Sequence, residues 1–380
     1  MKILLVGEYS NLHNSLKKGL QQLGHQVTII GLSDGFKKYP IDILIKRKFQ
    51  EGWLKKIKNG VYKLLNIDLT SLDVKKQIFK HQNLLSGYDV VQFINENPFL
   101  CVPNIEMDIF NFIISKSRNI FLLSCGTDYI SVKYAFDKKF RYSILTPYFE
   151  EKTALKDDYS LKYLTKPYQK LHNHIFKNIK GVLASDLDYH IPLKNHSQYL
   201  GMVANPINID KLEYIPLQIE DKIIIFHGIN NKNYYKKGND IFEAALTIIS
   251  KKHSDKVDII TTRSLPYKQY IEIYNSCHIL LDQVYAYDQG YNALEAMAKG
   301  KVVFTGAEKE WLDYYNLQED TVAINALPNA EAIAKKLSWL IENPNKIIEI
   351  SQNAKAFIEK EHHYKNCAQL YLDKWESTIN

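Results

Sequence analysis

The sequence predicts an α/β protein made of two doubly wound, Rossmann-like parallel-sheet domains that face a central cleft. Three observations carry this. The chain has 380 residues, more than one hydrophobic core ordinarily organises. Short apolar runs of strand length alternate with apolar-striped stretches of helical length, the pattern of parallel strands joined by right-handed crossovers. The alternation occurs as two series, joined near 208–220.

In the first series, Met1–Val6 (MKILLV) is a buried parallel strand closed by Gly7. Leu16, Leu20 and Leu23 stripe a helix over Asn14–Leu23, with Gly24 as its C-cap, and Gln26–Ile30 is the next strand. Ile41–Ile45, Asp89–Ile94, Ile120–Ser124 and Gly181–Ser185 are further strands, with helices at Asp108–Ser117 and, as one long element, near Glu150–Ile179. In the second series, Lys222–Phe226, Lys256–Thr261, Ile279–Asp282 and Lys301–Thr305 are strands, and Asp240–Ser250 is a striped helix. Three helical segments close the chain, Ala330–Ile341, Lys346–Lys360 and Asn366–Ser377. The expected domains are 1–207, joined by a terminal crossover helix at about 362–380, and 208–361. Ligands of such sheets bind beyond the carboxyl ends of the strands, so the shared cleft is the expected site.

At 46% hydrophobic and 24% charged residues the composition is that of a globular chain, neither disordered nor collagenous. No apolar run approaches the roughly 18 residues of a spanning helix, and Ile3–Val6 is too short for the apolar region of a signal peptide. Cys101, Cys125, Cys277 and Cys367 lie far apart without a CxxC pair. They read as reduced, mostly buried thiols in a cytoplasmic protein. The net charge of +7 is concentrated: between Phe36 and Lys63, nine Lys and Arg face only Asp42 and Glu51. Interleaved with Phe36, Tyr39, Phe49, Trp53 and Tyr62, this stretch suits an anionic membrane surface or substrate phosphates. A solvated lysine face on an ordinary helix is the plainer alternative. No nucleic-acid motif accompanies the charge.

Several chemistries find no support. The first strand ends in Gly7-Glu8-Tyr9-Ser10, a lone glycine where a dinucleotide fingerprint needs GxGxxG. There is no HExxH, and His172, His174, His362 and His363 read as surface histidines without ligand spacing. Asp186-Leu187-Asp188 follows a strand as a D-x-D triplet, which suits a divalent ion beside a diphosphate and equally suits acids at a helix N-terminus.

The most informative stretch is Asp282–Gly306, DQVYAYDQGYNALEAMAKGKVVFTG. A strand ends at Asp282, a loop runs through Gly290, and a helix begins near Tyr291–Asn292 with Glu295 one turn in. Free amides at that start attract phosphate, and a carboxylate there accepts hydrogen bonds from a ribose diol. A helix-dipole acid is the alternative role for Glu295.

LEAMAKGKVVFTG resembles the carboxy-terminal signature of GT-B glycosyltransferases, in particular the retaining family 4, or group 1. The resemblance implies that Glu295 meets the ribose, that the backbone of Gly290, Asn292, Ala293 and Leu294 receives the donor diphosphate, and that Tyr287 stands where the family carries its first glutamate, with Asp288 adjacent as a substitute. His227-Gly228 followed by Lys237-Gly238 resembles the segment that brings an arginine and a lysine to the diphosphate. Lys237 fits the lysine, the arginine is absent, and Arg263 after the next strand is the expected replacement. Cys125-Gly126-Thr127-Asp128 resembles the family's HG-x-D turn with cysteine for histidine, and Asp128 takes an acceptor-side or orienting role. Asn205-Pro206 resembles the interdomain hinge, and Gly7 the glycine facing the donor phosphates. Tyr9, Asn11 and His13, with Cys125, Gly126 and Asp128, are the expected acceptor side.

The resemblance implies GT-B architecture and a glycosyltransferase that moves a sugar from a nucleoside-diphosphate sugar to a glycan or polyprenyl-phosphate-linked acceptor. Retention at the anomeric carbon, polysaccharide biosynthesis, no metal or other cofactor, and a place in the cytoplasm, peripheral at the inner face of a membrane, are the further expectations. Lys237 and Asp128 are the expected catalytic residues. The alternatives are a nucleotide-sugar-binding protein that has lost activity, and a sugar-nucleotide epimerase of the same fold.

Overall fold

The computed structural model describes residues 1–32, 37, 39–153 and 159–379. Its first half is a seven-stranded, wholly parallel sheet. The strands are β1 (Lys2–Val6), β2 (Gln26–Leu32), β3 (Ile43–Ile45), β4 (Val90–Phe93), β5 (Ile120–Ser124), β6 (Gly181–Ala184) and β7 (Tyr199–Met202), in the order β3-β2-β1-β4-β5-β6-β7. β4, β5 and β6 are buried along their whole length, which is why they read as apolar runs, broken in β4 by Gln92, whose Oε1 accepts from the Trp375 indole, and closed in β5 by Ser124. The second half is a five-stranded parallel sheet of β8 (Ile223–Ile229), β9 (Val257–Arg263), β10 (Ile279–Leu281), β11 (Val302–Thr305) and β12 (Ile324–Asn325), ordered β12-β11-β10-β8-β9.

The helices of the first half are α1 (Leu12–Gln22), α2 (Gly52–Leu65), α3 (Leu69–Lys80), α4 (Pro103–Ile114), α5 (Tyr129–Phe136), α6 (Thr146–Phe149), α7 (Lys166–Asn178) and α8 (Leu187–Leu193). Those of the second half are α9 (Asn239–Lys252), α10 (Tyr267–Ser276), α11 (Tyr291–Ala298), α12 (Lys309–Tyr315), α13 (Ala330–Glu342) and α14 (Pro344–Glu361). The terminal α15 (Tyr364–Ile379) returns to the first half. There Cys367, Ala368, Tyr371, Leu372 and Trp375 bury themselves with Leu12, Leu16 and Leu20 of α1 and the β1 residues Ile3 and Leu5.

Both sheets reverse their strand order once, between β1 and β4 and between β8 and β10. Loops leaving such a pair of strands part from each other and open a crevice at the carboxyl ends. The reversals place Gly7–Ser10 beside Asn95 in one half, and the 230–238 loop beside 282–290 in the other.

Several expectations are corrected. The long helix near Glu150–Ile179 is instead α6, a 3-10 segment at Tyr159–Leu164, and α7. Pro167 occupies the first turn of α7, where its missing N–H costs nothing, whereas mid-helix it breaks the hydrogen-bond ladder; 154–158 lie outside the described residues. β7 and β12 had no apolar run to announce them, being an edge strand with Gly201 inside it and a two-residue strand. Neither His172 nor His362 is a surface residue. His172 is buried against Glu96, its Nδ1 2.5 Å from the carboxylate, and His362 donates from Nδ1 to the Asn205 carbonyl at 2.9 Å. Their partners lie 76 and 157 residues away in sequence, so no local spacing betrays them. Phe36 and Lys38 of the basic stretch lie outside the described residues.

Candidate active site

On the second half, the loop before α9 carries Lys237 and turns at Gly238. Gly238 has φ +70, and a Cβ there would stand 2.6 Å from Cβ of Val284, so only glycine lets this loop lie against the 282–290 loop. The Lys237 carbonyl accepts from the Val284 amide at 3.0 Å. Lys237 Nζ and Asn292 Nδ2 both donate to Oδ1 of the buried Asp282, each at 2.9 Å. Asp282 thus holds a cation and an amide side by side at the N-terminal end of α11. Gly290 is the N-cap of α11, and Ala293 and Leu294 are buried in the core behind it. Asn292 also accepts from the Tyr270 hydroxyl at 3.0 Å. Glu295, one turn in, pairs with Lys37 of the first half at 2.8 Å. Burial opposes the charge on Lys37, but the Glu295 carboxylate overcomes it and holds the ammonium above its ordinary range.

The 282–290 loop meets the first half through reciprocal contacts. Asp188, at the start of α8, accepts from the Tyr287 amide at 3.2 Å, and Asp288 accepts from the Leu187 amide at 3.0 Å. Asp186 caps α8, accepting from the Asp188 amide at 3.1 Å. The D-x-D triplet is therefore built into the seam between the halves. Burial raises all three carboxyls, and like charge adds at Asp186 and Asp188, which carries Asp188 up to about 7 and Asp288 to about 6. Among the described residues, no group of three or more His, Cys, Asp or Glu could hold a metal ion.

One cavity opens in this seam and a second beside it in the first half. The first, of about 250 Å³, has Gly126, Asp186 and Tyr189 on one wall and Lys236, Asp288 and Gly290 on the other. The second, of about 650 Å³, lies at the strand-order reversal of the first sheet, among Glu8, Tyr9, Ser10, Arg47, Asn95, Thr127, Lys162 and Tyr163. Gly126 lines both. Its φ is +76, and the Tyr189 hydroxyl donates to its carbonyl.

The structure thus brings Tyr9, Gly126, Asp288 and Gly290 to a cavity wall and sets Lys237, Asn292 and Glu295 together around the start of α11. Other candidates stand apart from both cavities. Asp128 is a buried N-cap of α5: one oxygen accepts from the Ser131 amide at 2.7 Å and the other from the Ser124 hydroxyl. Arg263 ends β9, paired with Glu243 over the Tyr234 ring. Asn11 is the left-handed N-cap of α1. His13 is fully buried; its Nδ1 donates to the Gly7 carbonyl at 2.7 Å, and burial lowers its pKa to about 4. Gly7 supports this turn rather than a cavity wall, since a Cβ there would meet Ile94 at 2.4 Å. Cys125 is half-buried, and burial pushes its thiol up.

Sequence reasoning did not single out Asn95, Thr127, Lys162 and Tyr163. Thr127 is the variable position of the Cys125–Asp128 turn, and the others follow a strand end or sit in the 3-10 segment without a motif; only folding onto the β1–β4 crevice gives them a common neighbour. Tyr287, where the family's first glutamate falls, packs between Phe140 and Tyr142. The Arg141 guanidinium lies 4.8 Å above its ring, and its hydroxyl accepts from the Arg141 amide at 2.8 Å.

Two parallel-sheet lobes, a cleft at their carboxyl ends and a terminal helix that crosses back define a protein of GT-B architecture. Residues 237–373 match a family model described as "Glycosyl transferase-like". The whole chain is similar in fold to sucrose-phosphate synthase from Thermosynechococcus elongatus, with a TM-score of 0.63 and 12% identity over 100% of this chain and 99% of that one. It is similar to HepE from Anabaena, solved in complex with UDP and glucose, with a TM-score of 0.57 and 13% identity over 99% and 100% of the two chains. It is also similar to a TarM variant from S. aureus, solved in complex with Fondaparinux, alpha-GlcNAc-glycerol and UDP, with a TM-score of 0.60 and 11% identity over 98% and 99%. No curated protein sequence matches the chain. Residues 237–373 are thus similar to a glycosyl-transferase-like family, and the whole chain has the fold of these solved structures.

Proposed function

We propose that this chain transfers a sugar from a nucleoside-diphosphate sugar to a glycan or lipid-linked acceptor, with net retention, without a bound metal, and at the cytoplasmic face of a membrane as part of polysaccharide biosynthesis. The observation that carries the reading is that Gly126 lines both the interlobe cavity and the cavity of the first half. A donor sugar in the first and an acceptor in the second meet there. The acceptor hydroxyl oxygen bonds to the anomeric carbon while the bond from that carbon to the diphosphate breaks, and the acceptor's proton leaves with the diphosphate. Lys237 and the free amides at the start of α11 stabilise the departing charge, the electrostatic task a metal performs elsewhere. Glu295 receives the ribose, exchanging its Lys37 contact for the diol. Anabaena HepE was solved with UDP and glucose, so a uridine donor is the first to test.

The experiment is a thermal-shift screen against UDP, GDP, ADP and their sugars, with and without EDTA. Ligand in large excess over its dissociation constant stabilises by a few kcal/mol. A shift with one nucleoside diphosphate that survives EDTA is the expected result; a shift that EDTA abolishes overturns the metal-independent reading, and no shift with any of them overturns donor binding. Tyr287 favours a second reading, a nucleotide-sugar-binding protein without transfer, because an aromatic ring locked in the seam replaces an acid. That reading predicts donor binding with neither hydrolysis nor transfer.

A further inference from the structure

The 650 Å³ cavity does not end at Arg47. Beyond it lies an apolar groove of about 550 Å³ walled by Leu32, Leu44, Ile45 and Leu100. The two spaces share Glu8, Tyr9, Arg47 and Leu100. Leu44 and Leu100 are each 41% exposed there, an unusual place for two leucines on a β-strand and a tight turn. Arg47 is fixed at the junction, its Nη2 donating to the Leu100 carbonyl at 3.2 Å. Its Nε is buried without a hydrogen-bond partner.

Across the polar cavity, Lys162 is ringed by tyrosines. Its Nζ lies 5.0 Å from the Tyr163 ring centre, 5.2 Å from that of Tyr168 and 5.9 Å from that of Tyr159. Among the described residues no carboxylate forms an ion pair with Arg47 or Lys162. Burial lowers the pKa of Lys162 and the charge of Arg47 adds to this, while only the buried Glu106 works against it. Two like charges facing one cavity, half-desolvated and unpaired, cost stability in the empty protein and are relieved by an anion between them. A simple anion leaves the leucine groove unused, and a simple hydrocarbon leaves the cations unused.

We propose that the acceptor is an anionic amphiphile, its phosphate-type group held between Arg47 and Lys162 and its apolar chain laid in the groove of Leu32, Leu44 and Leu100. Its hydroxyl then lies toward Gly126, where the two cavities meet. The word acceptor rests on the transfer reading; the amphiphile site does not.

The test is calorimetric titration of the full chain with farnesyl phosphate, farnesol, inorganic phosphate and, separately, UDP. Farnesyl phosphate is expected to bind at least tenfold more tightly than either of its parts. R47Q and K162Q are each expected to weaken it about tenfold, the worth of one charge-assisted hydrogen bond, and to leave farnesol unchanged. Leu44→Asp is expected to weaken it through the groove. Unchanged UDP affinity and a melting temperature no lower than the parent's in each variant show that the fold is intact. The proposal is overturned if inorganic phosphate binds as tightly as farnesyl phosphate, if farnesol does, or if the variants bind farnesyl phosphate like the parent. Failure of UDP to bind the parent, with the farnesyl phosphate pattern intact, sinks the donor reading and leaves this site standing.

Discussion

In the proposed transfer, Glu295 and Gly126 carry the chemistry of the cleft as residues of opposite kind, one a charge and the other an absence of side chain. Glu295 is held by Lys37 across the seam at 2.8 Å, so a ribose diol must compete with an existing partner. Glu295→Ala is expected to weaken nucleotide binding about tenfold, the loss of one charge-assisted hydrogen bond, while the protein stays folded. Calorimetry with the donor nucleotide reads this, and an unchanged affinity removes Glu295 from the donor site. Gly126 is left-handed, and a Cβ there would stand 3.4 Å from the Tyr9 ring. Gly126→Ala costs about 1 kcal/mol of backbone strain and places a methyl group between the two cavities. Turnover is expected to fall at least tenfold with donor affinity retained. Equal losses in both would place Gly126 in donor binding instead.

At the scale of elements, α2 stands out because none of its residues is buried. A helix of 14 residues is marginal in water unless something covers its apolar face. Leu54, Lys58 and Val61 turn towards the protein, half-buried. Trp53, Ile57 and Leu64 share the next stripe at helical spacing, with Trp53 68% and Leu64 83% exposed. Lys55, Lys56 and Lys63 occupy the opposite face, and the helix has no acid. The proposed membrane reading rests on this helix, which begins five residues after Arg47, beside the groove of Leu32, Leu44 and Leu100. Replacing Trp53, Ile57 and Leu64 with Ser is expected to abolish co-sedimentation with anionic liposomes and leave the melting temperature within a few degrees. A triple variant that sediments like the parent ends the membrane reading. Elsewhere, close approach decides the packing: a Cβ on Gly19 would lie 2.4 Å from the Tyr364 carbonyl oxygen, so α1 and α15 cross with nothing between their backbones.

The whole molecule is held closed by a polar seam. Arg141 pairs with Glu308 and Glu310 at 2.6 Å each, Lys152 with Asp240 at 2.9 Å, and the Tyr291 hydroxyl donates to the Pro206 carbonyl. Such an interface resembles a transient protein contact and permits relative motion of the lobes. Its pH dependence follows from Asp188. An unfolded carboxyl releases its proton near pH 4, but in the folded chain burial and then the charge of Asp288 hold the Asp188 proton to about 7. Between those values the folded state binds more protons, so stability is fully present below about pH 4 and is lost as pH rises towards 7. Asp188→Asn removes this term. The difference in melting temperature, variant minus parent, is therefore expected to grow from pH 4 to pH 7 and then level off; a flat difference contradicts the assignment.

The sequence by itself determined the two parallel sheets, because strands buried on both faces show as short apolar runs, ILLV in β1, IFLL in β5, IIIF in β8 and VVF in β11. The start of α11, with Gly290 before it and Glu295 one turn in, was also legible, since a glycine, a helix start and one turn of spacing are local features. Tertiary structure alone decided the rest. His13, Asp128 and Arg263 carry the right chemistry in sequence, yet one is buried under Gly7, one caps α5 and one pairs with Glu243. Conversely, Arg47 and Lys162 come from a strand exit and a 3-10 segment more than a hundred residues apart, and both reach one cavity. Periodicity reports which face of an element is buried; it carries no information about which distant element that face will meet.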